Sequence, residues 1–120
     1  MRTRLWILMT VGLVLCGCPG FLGPVCTANF AYGVNATVTD AVTGEPVADA
    51  TLILSAGSYQ ETMQAFPDGD FVGAGERAGT YTLTASAPGY QDLTIDSIVV
   101  TADECHVRGV HVDVPLQPAP

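Results

Sequence analysis

Val38-Thr-Asp-Ala-Val-Thr-Gly-Glu-Pro-Val-Ala-Asp-Ala-Thr-Leu52 holds the end of one strand, a turn and the start of the next strand. Upstream of the turn, Val34, Ala36 and Val38 alternate with Asn35, Thr37 and Thr39. A period of two places the apolar set on one face, as in a half-buried strand. Asp40 and Thr43 carry oxygens that bond nearby backbone amides, Gly44 permits an unusual backbone angle, and Pro46 presets the return path. These four residues are therefore read as fold-determining turn residues. Alternation then resumes through Ala50, Leu52 and Leu54.

The same rhythm runs outward from this stretch. Tyr81, Leu83 and Ala85 alternate with Thr82, Thr84 and Ser86, so the Tyr81 ring is expected in the core. Leu93 and Ile95 lead into Ile98 and Val100 with a change of parity, which implies a bulge near Asp96-Ser97. Val110, Val112 and Val114 form a last strand, and Gly109 offers a second bulge because Val107 is out of phase. Turn signals separate the runs at residues 43–46, 56–58, 67–69, 73–75 and 88–89. The spacing predicts strands at 31–39, 50–56, 59–66, 70–74, 79–87, 91–101 and 106–115, with no internal repeat. Helical periodicity is absent after residue 17. The expectation is an all-β, seven-stranded antiparallel β-sandwich over residues 31–115, followed by a frayed tail at 116–120.

Two stretches resemble carboxypeptidase regulatory-like domains, the transthyretin-like or prealbumin-like sandwiches. One is Val38–Leu52, where a strand ends in Asp, turns through Thr-Gly-x-Pro and re-enters the sheet; Leu52 stands where that pattern has valine. The other is Ala78-Gly-Thr-Tyr-Thr-Leu-Thr-Ala-Ser-Ala-Pro-Gly-Tyr90, a Gly-x-Tyr strand followed by a Pro-Gly-Tyr turn. The resemblance implies a transthyretin-like/Ig-like sandwich over residues 31–115. It implies no chemistry, because this fold serves unrelated roles and the carboxypeptidases that carry it hold their catalytic residues in another domain.

The N-terminus carries an address. Met1-Arg-Thr-Arg4 is a short basic segment, and Leu5–Leu15 is an apolar run. That run is shorter than the roughly 20 residues of a membrane span and fits a signal peptide. Leu15-Cys16-Gly17-Cys18 resembles the bacterial lipobox, with small Gly17 before the cut and Cys18 as the lipid-bearing first residue of the mature chain. Residues 1–17 are read as the signal peptide and 18–30 as the lipidated cysteine and a Pro/Gly-rich tether. A cysteine bearing two or three acyl chains is a stable membrane anchor. By resemblance to sorting rules, Pro19 rather than Asp after Cys18 implies the outer membrane of a bacterial cell envelope. Cys16 leaves with the signal, so Cys26 and Cys105 remain as an even pair in an oxidising compartment. A disulfide between them is expected. With no CxxC, a thiol metal or redox site has no support.

Charge narrows the partners. The formal net charge is −8, and becomes −10 once Arg2 and Arg4 leave with the signal. There is no lysine, so Arg77 and Arg108 are the remaining permanent cations. Such a chain repels nucleic acid and anionic lipid headgroups. His106 and His111, with Asp113, fall short of a spaced metal-ligand set. Asp68-Gly-Asp70 with Glu76 offers oxygens for calcium but lacks the EF-hand series of carboxylates. Ser55, Ser58, Ser86 and Ser97 sit in no GxSxG elbow. Threonine-rich faces (Thr37, Thr39, Thr82, Thr84) suit a wetted sheet or a sugar, with Tyr32 and Tyr59 as the aromatic candidates. No catalytic residue, metal or cofactor is expected. The function expected is a membrane-anchored envelope lipoprotein whose sandwich is a non-catalytic structural or protein-interaction module, with an envelope protein as partner. The rival is a small lipoprotein that binds carbohydrate or calcium. The oligomeric state is not specified by these residues.

Overall fold

The structure, a computed structural model, describes Cys26 and residues 29–120. The signal peptide, Gly17, Cys18 and most of the tether therefore lie outside the described residues. Among the described residues nine strands follow in order: β1 Tyr32–Asp40, β2 Thr51–Ala56, β3 Tyr59–Thr62, β4 Gln64–Ala65, β5 Asp70–Gly75, β6 Gly79–Ser86, β7 Leu93–Ala102, β8 Val107–Arg108 and β9 Val110–Leu116. They form two sheets, ordered β4-β5-β1-β9 and β3-β2-β6-β7-β8, packed as a sandwich.

The all-β sandwich is the fold class expected, but nine strands replace seven. Two of the expected runs change sheets midway. The run at 59–66 pairs through β3 with β2 and through β4 with β5. Between them Met63 turns its side chain into the core and donates its amide to the Leu52 carbonyl at 2.8 Å. The run at 106–115 pairs through β8 with β7 and through β9 with β1. It crosses at Gly109, where a Cβ would lie 2.8 Å from the Tyr32 carbonyl oxygen, so the crossing needs glycine.

The sandwich is also not wholly antiparallel, because β1 and β9 pair in parallel over Val34–Asp40 and Val110–Leu116. Both strands set out from the end where Cys26 and Cys105 meet, so lying side by side makes them parallel. Pro115 is accommodated because β9 is an edge strand.

Alternation decides the core. Phe71, Leu52, Leu54, Leu83, Leu116 and Tyr81 are all fully buried, and each such aliphatic or aromatic side chain contributes about 1.5–3 kcal/mol. The parity change in β7 is a bulge. Tyr81 pairs with Ile98 and Leu83 with Ile95, so Asp96 and Ser97 together face Thr82. Ser97 absorbs the extra residue with a φ of 61°. The segment expected as a frayed tail is held instead. Leu116 is buried in β9, Gln91 donates its amide to the Gln117 carbonyl, and Ala119 donates to that of Gly89.

Candidate functional site

The strands run between two ends of the sandwich. One end carries the turn after β1 and the turn around Pro88-Gly89, and the other carries the disulfide. Each is closed by a carboxylate that ties together distant parts of the chain.

At the turn end, Asp40 Oδ1 accepts the amides of Val42 at 2.7 Å and Thr43 at 2.9 Å, and Oδ2 accepts the Tyr90 hydroxyl at 2.8 Å. Thr43 Oγ1 accepts the Glu45 amide at 3.2 Å. Gly44 adopts a φ of 79°, donates its amide to the Asp40 carbonyl, and leads into Pro46, which bridges Thr39. The Thr43 amide, the Tyr90 hydroxyl and the Val42 amide hold the Asp40 carboxyl below its ordinary pKa. The same hydrogen bond pushes the Tyr90 phenol up. Local spacing identifies Asp40 and Thr43, but the link to Tyr90 spans 50 residues and left no signal in it.

At the disulfide end, Cys26 and Cys105 are bonded, with Cα atoms 5.1 Å apart and a sequence separation of 79. Beside them Glu76 Oε2 accepts the Ala31 amide at 2.9 Å and meets His106 Nδ1 at 2.7 Å. Glu76 Oε1 accepts the Val107 amide at 3.2 Å. His106 first, then the Ala31 amide, hold the Glu76 carboxyl below its ordinary pKa, against an opposing contribution from burial. Asp103 Oδ1 caps the loop by accepting the Cys105 and His106 amides at 2.8 and 2.9 Å. These two bonds, that of His106 foremost, lower the Asp103 pKa. A hollow of about 400 Å³ is bordered here by Cys26, Glu76, Ala78, Asp103 and His106.

A second cluster at this end escaped sequence reasoning. The Arg77 guanidinium lies 3.6 Å over the Tyr59 ring, and its Nη1 donates to the Tyr81 hydroxyl at 3.2 Å. That hydroxyl donates in turn to the Arg77 carbonyl at 2.8 Å. Tyr59 donates to Glu61 Oε1 at 2.5 Å, which raises the Tyr59 pKa. Glu61 Oε1 also accepts the Ala74 amide at 2.9 Å, where Ala74 has a φ of 54°. The only sequence hint is an arginine two residues after the Gly73-Ala-Gly75 corner.

The remaining candidates separate. His106 is engaged with Glu76, whereas His111 lies on the outer face of the other sheet, where its Nε2 meets Asp113 Oδ1 at 3.1 Å and Thr37 Oγ1 at 3.4 Å. Thr37 also donates to Asp70 Oδ1 at 3.1 Å. This row across β5, β1 and β9 is not a nucleophile relay, because hydroxyl and carboxylate address the same ring nitrogen. Glu76 lies at the opposite end of β5 from Asp68 and Asp70 and cannot complete a calcium set with them. Among the described residues, no three His, Cys, Asp or Glu side chains converge as metal ligands.

Residues 33–116 match the family model described as carboxypeptidase regulatory-like domain. Among curated proteins, carboxypeptidase D of Rattus norvegicus is 36% identical over 89 residues, which is 72% of this chain. The match spans only 6% of that relative's length.

Proposed function

From the premise that this chain belongs to the carboxypeptidase regulatory-like domain family, we propose that it is a lipid-anchored envelope protein whose sandwich serves as a non-catalytic interaction module. The observation that carries the reading is the Cys26–Cys105 disulfide. It takes up both cysteines of the domain and suits an oxidising compartment. With Cys16 assigned to the signal, Cys18 is left as the thiol for lipid, preceded by Gly17.

The chemistry of the carboxylates agrees with a module that holds shape. Asp40, Glu76 and Asp103 each spend oxygens on backbone amides. A carboxylate fixed in that way is engaged in its charged form and has little capacity left as a general base. The partner fitting this reading is an envelope protein.

Mass spectrometry of the mature chain tests the anchor. The expected species begins at Cys18 and carries the mass of its acyl groups, and Cys18→Ala abolishes lipid labelling. An unmodified Cys18 overturns the anchor. Crosslinking in intact envelopes tests the module, and recovery of free monomer alone counts against it.

A further inference from the structure

The Cys26–Cys105 bond decides which end of the sandwich a lipid on Cys18 would hold close. Eight peptide units separate Cys18 from Cys26, and a fully extended residue spans at most about 3.6 Å. The disulfide end is therefore kept within roughly 30 Å of the anchored residue. The turn end lies a strand length farther away, because β1, β6 and β9 lead to it and β7 returns from it.

Charge is divided along the same axis. The permanent cations after residue 4, Arg77 and Arg108, both sit at the disulfide end, as does His106. Four carboxylates, those of Glu61, Glu76, Asp103 and Glu104, share that end, so the two arginines offset half of them. The turn end exposes Glu45, Asp49, Asp68 and Asp92 and has no lysine or arginine to offset them. Apolar side chains are exposed at both ends, Phe30 at the disulfide end and Val42 at the turn end. Hydrophobicity alone does not choose between them. The tether and the charge do.

We propose that the disulfide end, through Phe30, Arg108 and the loop at 103–106, rests on the anionic lipid surface that holds the chain, so that the acidic turn end faces outward. Phe30 is 62% exposed and is held edge-on against Tyr32, so its ring is presented without further ordering. Arg108 is exposed on the short strand that follows the disulfide loop. Basic side chains near an anionic bilayer gain attraction only within about a Debye length. The turn end, whose carboxylates no arginine offsets, is repelled more strongly by the same field. Tethering supplies the local concentration that two weak contacts need. This inference rests on the lipid anchor proposed above.

The experiment uses the full mature chain in nanodiscs of phosphatidylethanolamine and phosphatidylglycerol doped with a gadolinium-chelating lipid. Amide signals of Ala31 and of Asp103–Val107 are expected to be attenuated several-fold more than those of Val42–Glu45 and Gly89. Pure phosphatidylcholine discs should narrow the difference. Phe30→Ser with Arg108→Gln should narrow it to the part the tether sets while the chain stays on the discs, and Arg108→Gln alone, at an exposed position, should narrow it less; an undiminished difference in the double variant overturns the surface contact. Equal or reversed attenuation on a disc-bound chain overturns the orientation but not the anchor. A chain that does not associate with discs at all overturns both.

Discussion

Replacing Tyr81 by Phe isolates one hydroxyl. The Tyr81 ring is fully buried and lies edge-on to Tyr59 at 6.4 Å between centroids, and Phe keeps that packing. What disappears is the hydroxyl that donates to the Arg77 carbonyl at 2.8 Å and accepts from Arg77 Nη1 at 3.2 Å. A hydrogen bond is worth about 0.5–1.5 kcal/mol net, and a buried group left without its partner costs about 1–3 kcal/mol. Arg77 is half-buried, so water replaces part of the loss. The expected cost is about 1–2 kcal/mol, or roughly 5–15 °C in Tm for a domain of this size. Thermal and urea melts measure it. The cycle with Arg77→Ala then separates the two bonds. The backbone carbonyl survives that substitution, so most of the Tyr81→Phe cost should persist in the Arg77→Ala background. If Tyr81→Phe melts with the parent chain, the hydroxyl does not hold the corner at residues 76–78. If its cost vanishes without Arg77, the guanidinium bond rather than the carbonyl bond carries it.

Replacing Cys26 and Cys105 together by Ser opens a crosslink of sequence separation 79, worth at most about 4–5 kcal/mol of unfolded-state entropy; the urea midpoint should fall sharply, and an unchanged midpoint would show that the bond leaves the unfolded chain no more constrained. Asp40, Glu76 and Asp103 have folded pKa values below their ordinary ones, so their contribution is complete above the unfolded value near about pH 4 and is lost as pH falls through the folded values. Acid melts should therefore lose stability there, and Asp40→Asn should flatten part of that limb. Tyr59 and Tyr90 are raised, so their contribution is present below about pH 10 and is lost as pH climbs through the folded values. Gly44→Ala meets open space but a φ of 79°, costing about 1 kcal/mol, whereas Gly109→Ala meets the Tyr32 carbonyl and should cost about 1–3 kcal/mol; equal melting shifts for the two would refute the crowding at Gly109.

What was legible in the sequence was whatever a strand writes into its own neighbours. Period-two alternation places Val34, Ala36, Val38, Leu52, Tyr81 and Leu83 in the core, and all six are buried. The turn from Asp40 to Pro46 is equally local, and so is the parity change that marks the bulge at Asp96-Ser97. Sheet membership is not local. Alternation continues across Met63, and the break in phase at Gly109 reads as a bulge, although the chain changes sheets at both, so each such run reads as one strand. The parallel pairing of β1 with β9 depends on where two distant strands begin. The partners of Glu76 lie 45 residues before it and 30 or 31 after it, and that of Asp40 lies 50 residues on. Nothing near any of these residues announces the contact.

Those long-range clasps bear on where recognition can occur. Protonating or displacing Asp40 would release two turn amides and the Tyr90 hydroxyl together, loosening the link between the turn after β1 and the turn before β7. Displacing Glu76 would likewise release Ala31 and Val107 beside the disulfide. A ligand that competed for either carboxylate would have to offset several hydrogen bonds before gaining one. Binding is therefore cheaper on groups that fold maintenance does not occupy. Exposed Val42 and Phe66 at the turn end, with Glu45 and Asp49 beside Val42 in sequence, meet that condition. On the orientation proposed above, this is the end that faces away from the membrane. Substituting Val42 and Phe66 by Ser should then weaken envelope crosslinks without lowering Tm, because neither side chain belongs to the buried core. Crosslinks that persist at full yield would move the interaction surface elsewhere on the sandwich.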